Sequence, residues 1–268
     1  MSTVYGGIFD FNIPGYTPPN LTGGIYNFTD SVDTTAGTLY QIYSDELLVY
    51  SAASNGVGIY DIVTGEPYAY INYADGVKTI CGNSDRVYIG TTNSGIKYID
   101  KSTISGSILS TYDLTTHLTD LSTPGISSSG IKYLSVKGNQ LVACTTAGID
   151  YFRYSINPFI HSKTLISGSQ KCFVTDKSIY YTVSGTNTTT SGMEYSLNRL
   201  DTCLTDWTTP TMTYTTGSGI FEAGIKLTDI YVTTATASND GNTIFCTTTS
   251  GVYVVDEDSQ EYAIYYTG

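Results

Sequence analysis

Side chains able to do acid–base or metal chemistry are few and scattered along this sequence. Only two histidines occur, His117 and His161. They form no His-Glu-x-x-His pattern or four-residue spacing that would place two imidazoles on one zinc ion. The five cysteines, Cys81, Cys144, Cys172, Cys203 and Cys246, include no Cys-x-x-Cys pair, and they read as packing residues rather than a disulfide framework or a zinc cage. Carboxylates are abundant, and the densest run is Asp256-Glu257-Asp258-Ser259-Gln260-Glu261. Its oxygens could ligate calcium, but it lacks EF-hand spacing and the EF-hand glycine, and it reads as a solvated turn. A pair of carboxylates flanking a glycosidic bond could hydrolyse it, yet no pair is singled out by position. Neither a Gly-x-Ser-x-Gly elbow nor a phosphate-cradling loop stands between a strand and a helix. The expectation is a non-enzymatic protein with no cofactor and no metal.

What does recur is a structural frame. It stands as Gly95-Ile96-Lys97-Tyr98-Ile99-Asp100, Gly56-Val57-Gly58-Ile59-Tyr60-Asp61 and Gly251-Val252-Tyr253-Val254-Val255-Asp256. Looser copies begin at Gly148 and Gly192. The copies lie roughly 40–60 residues apart, a period typical of propeller repeats with one four-stranded sheet each. Positions one and three after the glycine are apolar each time (Val57 and Ile59, Ile96 and Tyr98, Ile149 and Tyr151, Met193 and Tyr195, Val252 and Val254), the period-2 mark of a buried sheet face. A short β-branched strand precedes most copies, and the glycine suits the tight hairpin between the two strands. Gly90, Cys144 and Cys246 look like occupants of one small-residue slot in that preceding strand.

The chain of 268 residues has a formal net charge of −12 and a pI near 4.3. Binding to nucleic acid requires a basic face that displaces counterions, so that class is excluded. Residues 1–77 hold no Lys or Arg and eight acids, and the stretch after Lys226 holds no base and six acids. If the repeats close into a ring, these ends form one acidic sector, suited to solubility or to docking on a basic partner. No apolar run approaches the length of a membrane span, and no basic region with an apolar core opens the chain. Synthesis in the cytoplasm without a signal peptide is expected.

Two regions follow. Residues 1–37 are rich in glycine, proline (Pro14, Pro18, Pro19) and aromatics. They read either as an extended arm or as a degenerate first blade, in which Gly7-Ile8-Phe9-Asp10 is a distant copy of the frame. The apparent completeness of the C-terminal repeat favours the arm. Residues 38–268 read as the propeller, with blades near 38–73, 77–113, 130–166, 168–216 and 227–267. The outer strand of the second blade is expected at 108–112, and a polar hairpin tip at 185–190. No convincing helix is expected.

On these residues the chain resembles the β-propeller repeat superfamily. It departs from the WD40 pattern, since no Gly-His pair opens the repeats and the single tryptophan, Trp207, cannot supply a recurrent Trp-Asp. The frame following a Thr-Thr-x-Ser turn is more similar to divergent propellers of bacterial ligand-binding and phage virion proteins. The resemblance implies an all-β propeller of five to six four-stranded blades with an N-terminal arm. It also suggests a structural subunit of a phage or virus particle that contacts other protein subunits, with the virion as its final location. Phe9, Phe11, Tyr16 and Trp207 are the candidate partner contacts. Gly56, Asp61, Gly95, Asp100, Gly148, Gly192, Gly251 and Asp256 are the frame residues that build the repeats. A glycan-binding propeller, with tyrosines and Trp207 stacked on sugar rings, is the alternative; a carboxylate-dependent glycosidase or lyase ranks behind it.

Overall fold

A computed structural model of the chain describes residues 38–63, 65, 67–104, 112–121, 130–153, 160–164, 168–186, 193–202, 209–215, 217, 220–233, 242–257 and 261–266. These residues form five antiparallel sheets in chain order. Sheet 1 contains β1 (Leu39–Ser44), β2 (Leu48–Ala53), β3 (Gly56–Asp61) and β4 (Pro67–Asn72). Sheet 2 begins with β5 (Val77–Gly82), β6 (Arg86–Thr91) and β7 (Ile96–Asp100). After it come β8 (Tyr112–Asp113) and β9 (Thr119–Asp120). Sheet 3 is β10 (Ile131–Lys137), β11 (Gln140–Thr145), β12 (Gly148–Arg153) and β13 (Ile160–Thr164). Sheet 4 is β14 (Ser169–Val174), β15 (Ser178–Thr186), β16 (Met193–Asp201) and β17 (Met212–Thr215), and sheet 5 is β18 (Leu227–Thr233), β19 (Thr243–Thr248), β20 (Gly251–Asp256) and β21 (Tyr262–Tyr266). The architecture is a β-propeller, with each sheet a blade.

The core lies between blades rather than within them. One apolar cluster joins sheets 1 and 2 through Tyr50, Ile59, Ile71, Ile80 and Ile99. A second, with Tyr88, Leu134 and Phe152, joins sheets 2 and 3. A third, with Val142, Cys172 and Tyr181, joins sheets 3 and 4. The fourth, with Tyr180, Leu197, Ile230 and Tyr253, joins sheets 4 and 5. A sheet buried on both faces needs apolar residues at both phases of its alternation, which is why Val87-Tyr88-Ile89 and Leu141-Val142-Ala143-Cys144 run unbroken.

Local chemistry explains the hairpins. Thr91, Thr145 and Thr248 each end the second strand of a blade. Each hydroxyl donates to the carbonyl of the frame glycine (Gly95 at 2.8 Å, Gly148 at 3.1 Å, Gly251 at 2.9 Å) and accepts a backbone N–H within the turn. The recurrent threonine is thus a side-chain clasp on the turn. At Gly56, φ is +147° and a Cβ would sit 1.9 Å from the carbonyl oxygen of Ile71, so only glycine fits. Asp61 caps the next turn through Val63 N–H at 2.9 Å.

Three sequence expectations change. The outer strand of sheet 2 is β9, paired with β7 through Lys97–Asp120 and Tyr98–Thr119, not residues 108–112. Tyr112 and Asp113 instead run parallel to Ala69 and Tyr70 on the edge of sheet 1, drawn there by Leu114, which is fully buried between sheets 1 and 2. The fourth frame copy starts at Ser196, since Leu197 pairs with Thr182 as Ile149 pairs with Cys144. Sheet 4 therefore reads Ser196-Leu197-Asn198-Arg199-Leu200-Asp201, with Asp201 in the place of Asp100, and Gly192 lies outside the described residues. Cys144 does take the slot of Gly90, but Cys246 sits one residue away, opposite Tyr253. A one-residue offset turns a side chain to the other face, so Cys144 packs toward sheet 4 and Cys246 back toward sheet 4 from sheet 5. Among the described residues the helical elements are two single 3-10 turns, Lys101–Thr103 and Thr115–His117.

Candidate interaction surface

A repeated backbone bond sets a common frame for one rim of the propeller. The residue after the frame aspartate donates to the residue before the second strand: Ile62 to Leu47 (3.0 Å), Lys101 to Asp85 (2.8 Å), Thr202 to Lys177 (2.7 Å) and Glu257 to Asn242 (3.0 Å). Two of these positions lock adjacent blades together with opposite charge. Lys101 of sheet 2 reaches Asp45 of sheet 1 at 2.7 Å and the Tyr43 hydroxyl at 3.3 Å, and Tyr50 donates to the same carboxylate. At the boundary of sheets 4 and 5 the polarity is reversed. Glu257 of sheet 5 accepts from Arg199 and, at 2.6 Å, from Tyr180 of sheet 4. Asn242 adds a donor to Glu257 at 2.8 Å. The expected solvated turn at 256–261 is corrected at this residue: the Glu257 side chain is buried because Arg199 supplies its counter-charge. Burial raises the Tyr180 hydroxyl well above its ordinary value, and the hydrogen bond to the Glu257 carboxylate pushes the same way. Burial also works against the Asp45 carboxylate, but Lys101 and the Leu47 and Leu48 amides outweigh it and hold its pKa below the usual value.

The inner strands carry a second set of contacts. Each of β1, β5, β10, β14 and β18 has a register shift near its start. The residues just past it bridge blades: Leu134 N–H donates to the Thr79 hydroxyl at 2.9 Å, and Thr79 donates to the Gln41 side chain at 2.6 Å. Tyr133 of sheet 3 reaches Asp229 of sheet 5 at 3.4 Å, and the Lys171 ammonium lies 4.1 Å from the Tyr133 ring centre. These polar groups serve one another and tie inner strands together.

What remains is apolar exposure, and it is unevenly placed. Among the described residues every exposed large hydrophobic belongs to a terminal blade: Tyr40, Ile42, Leu47, Ile62 and Val63 on sheet 1, and Tyr231, Tyr262 and Tyr265 on sheet 5. Leu47 (73% exposed) and Val63 (79%) stand on the rim. At their positions sheet 2 has Asp85 and Ser102, and Lys177 and Asn242 take the place of Leu47 in sheets 4 and 5. Scattered single hydrophobics are ordinary on surfaces, and Leu47 and Val63 differ from these in being apolar at rim positions where sheet 2 is polar.

The frame residues Gly56, Asp61, Gly95, Asp100, Gly148, Gly251 and Asp256 fall on the hairpins that build the blades. Phe9, Phe11, Tyr16 and Trp207 lie outside the described residues, as do Cys203 and all of 1–37. The two histidines are not brought together into one sheet: His117 is on a 3-10 turn beside sheet 1 and His161 is on the outer strand of sheet 3. Among the described residues no group of three His, Cys, Asp or Glu could hold a metal, and no helix is long and apolar enough to cross a membrane. Sequence reading missed Leu47 and Val63. Their signal was there in the comparison of rim positions between repeats, but using it required the register.

No family model matches the chain, and no curated protein matches it. Solved structures do match it in fold. The extracellular domain of a hybrid two-component system from B. thetaiotaomicron is similar at TM-score 0.56 and 15% identity, over 85% of this chain and 29% of that one. The WD40 domain of Neurospora crassa Pan2 is similar at TM-score 0.56 and 12% identity, over 85% of this chain and 65% of that one. A chain of a mitotic checkpoint complex is similar at TM-score 0.56 and 12% identity, over 97% of this chain and 74% of that one. The chain thus spans under a third of the first of these and about two thirds of the second. At such identities the likeness is one of fold, and it places the chain among the β-propellers.

Proposed function

We propose that this chain is a non-catalytic interaction propeller that binds another protein through the rim of its first blade. The observation that carries the reading is the exposed pair Leu47 and Val63, apolar where sheet 2 places Asp85 and Ser102. Sheet 1 contains no Lys or Arg, and Glu46 is exposed beside Leu47. The surface therefore fits a partner with an apolar pocket bordered by basic side chains, whose charge would speed encounter and fix orientation. The likeness in fold to a chain of a mitotic checkpoint complex supports a role in protein interaction. The finer reading, a structural subunit of a phage or virus particle, rests on composition: 25 tyrosines, 27 glycines and only 12 Lys and Arg in 268 residues.

The test is cross-linked recovery of the partner subunit with the wild-type chain, a Leu47→Asp/Val63→Asp variant and an Asp85→Ala variant. The double variant loses the partner while keeping its unfolding midpoint, and Asp85→Ala retains it. Undiminished recovery with Leu47→Asp/Val63→Asp would overturn the reading.

A further inference from the structure

Aligned on the inner-strand register shift, Ile42 of β1 corresponds to Ile80, Leu134, Cys172 and Ile230. Those four are at most 4% exposed, each packed in the cluster shared with the preceding sheet, whereas Ile42 is 47% exposed. The opposite face of the array shows the complementary gap. Tyr50, Val57, Ile59 and Ile71 of sheet 1 are buried against sheet 2. Their counterparts on sheet 5 are Phe245, Val252 and Val254, only partly covered, and Tyr265, 58% exposed. Tyr231, which corresponds to the packed Phe173 of sheet 4, is also exposed. Among the described residues no buried cluster joins sheet 5 to sheet 1, although both faces have the apolar pattern that seals the other four boundaries. Ile62 adds to this: from its position Lys101 and Glu257 reach back to a preceding blade, and Ile62 itself is exposed.

We propose that residues 1–37 seat between sheets 5 and 1 as a further blade, covering Ile42 on one side and Tyr265 with Val252 on the other. Chain length and position select this occupant. Leu39 to Asn72 suffices for a whole blade, and 1–37 is slightly longer. The segment joins the described chain at Thr38, whose carbonyl accepts from Ser54 N–H at 3.0 Å, immediately before β1, the strand that carries Ile42. Between sheets 1 and 2 the outer strand is joined to the next inner strand by a short link, from Asn72 to Val77, and likewise from Thr164 to Ser169 between sheets 3 and 4. On the same pattern, the proposed blade has its outer strand just before β1. Gly7-Ile8-Phe9-Asp10 and Gly24-Ile25-Tyr26-Asn27-Phe28 supply apolar stretches for both faces. Burying apolar surface on two sides at once drives the seating, as it does for every other blade. This inference concerns the seam and stands or falls apart from the Leu47/Val63 rim.

The test is thiol labelling of three single variants of the full chain, Ile42→Cys, Tyr265→Cys and Leu47→Cys, with wild type as background. Ile42→Cys and Tyr265→Cys label at least roughly tenfold more slowly than Leu47→Cys, independently of protein concentration. Adding Ile8→Asp/Phe9→Asp in the full chain raises the two seam rates and leaves the Leu47→Cys rate unchanged. Seam thiols that label as fast as Leu47→Cys overturn the proposal. Slow labelling that survives Ile8→Asp/Phe9→Asp also overturns it, because sheets 5 and 1 would then close on each other. Slow labelling that disappears on dilution overturns it in favour of a second copy.

Discussion

Sheets 2, 3 and 4 and the terminal sheets 1 and 5 use the same frame, the same hairpins and the same inner-strand register shift, yet they differ in what their faces do. In the middle sheets both faces are consumed by neighbours, and the described rim counterparts of Leu47 and Val63 in sheets 2 and 4, Asp85, Ser102 and Lys177, are polar. In the terminal sheets one face each lacks a described neighbour, and sheet 1 carries leucine and valine on its rim. Repeat architectures distribute stability between nearest neighbours, so the middle blades carry most of the packing, and the exposed apolar residues of the end blades are where the proposed contacts fall.

The largest effect that would sharpen this contrast is a cavity in a middle boundary. Leu134→Ala, at a site 1% exposed between sheets 2 and 3, is expected to cost about 3 kcal/mol in denaturant unfolding. A cost as small as that of a rim substitution would break the comparison.

Next come the two charged locks, which pose the same problem with opposite polarity. Glu257→Ala removes the buried carboxylate that accepts from Tyr180 and Asn242 and leaves Arg199 with Asp201 as its remaining carboxylate, and is expected to cost about 2 kcal/mol. Lys101→Ala is expected to cost about 1 kcal/mol, since its pair with Asp45 is partly exposed and screened. Equal costs would show that burial does not separate the two boundaries.

The Asp45 lock should also be visible in pH dependence. Its carboxyl is depressed in the folded chain relative to the ordinary value of 3.8, so its stabilisation is present above that value. It fades as pH falls through the lowered folded value. The stability gap between wild type and Asp45→Asn therefore stays open at neutral pH and narrows below about pH 4. A gap that widens on acidification would mean that Asp45 is not held as a carboxylate by Lys101.

The smallest stability effect is predicted at the rim. Leu47→Ser and Val63→Ser should each shift unfolding by less than about 0.5 kcal/mol and yet weaken association with the partner. Loss of stability without loss of association would reassign both residues to the fold.

The frame left the blade number at five to six but made most strand positions of the five described sheets legible, because a period-2 apolar pattern and a turn glycine are local signals. Three misplacements have separate causes. Residues 108–112 had the composition of a strand, but the buried Leu114 is placed by tertiary packing that no local pattern encodes. The frame in sheet 4 begins with serine, so a search keyed to glycine settled on Gly192 instead. Cys246 was assigned the slot of Gly90 because composition does not distinguish adjacent positions, whereas register does. The fate of Glu257 was equally hidden: its partner Arg199 lies 58 residues away in sequence, so an acidic run looked solvated. Leu47 and Val63 could be recognised only once Asp85 and Ser102 were known to be their counterparts.

The most direct test of the account is thiol labelling of Leu47→Cys and Asp85→Cys, matched rim positions on sheets 1 and 2, with and without the bound partner. The account predicts that the partner slows labelling of Leu47→Cys several-fold and leaves Asp85→Cys unchanged. Slowing at Asp85→Cys with Leu47→Cys still freely labelled would contradict it.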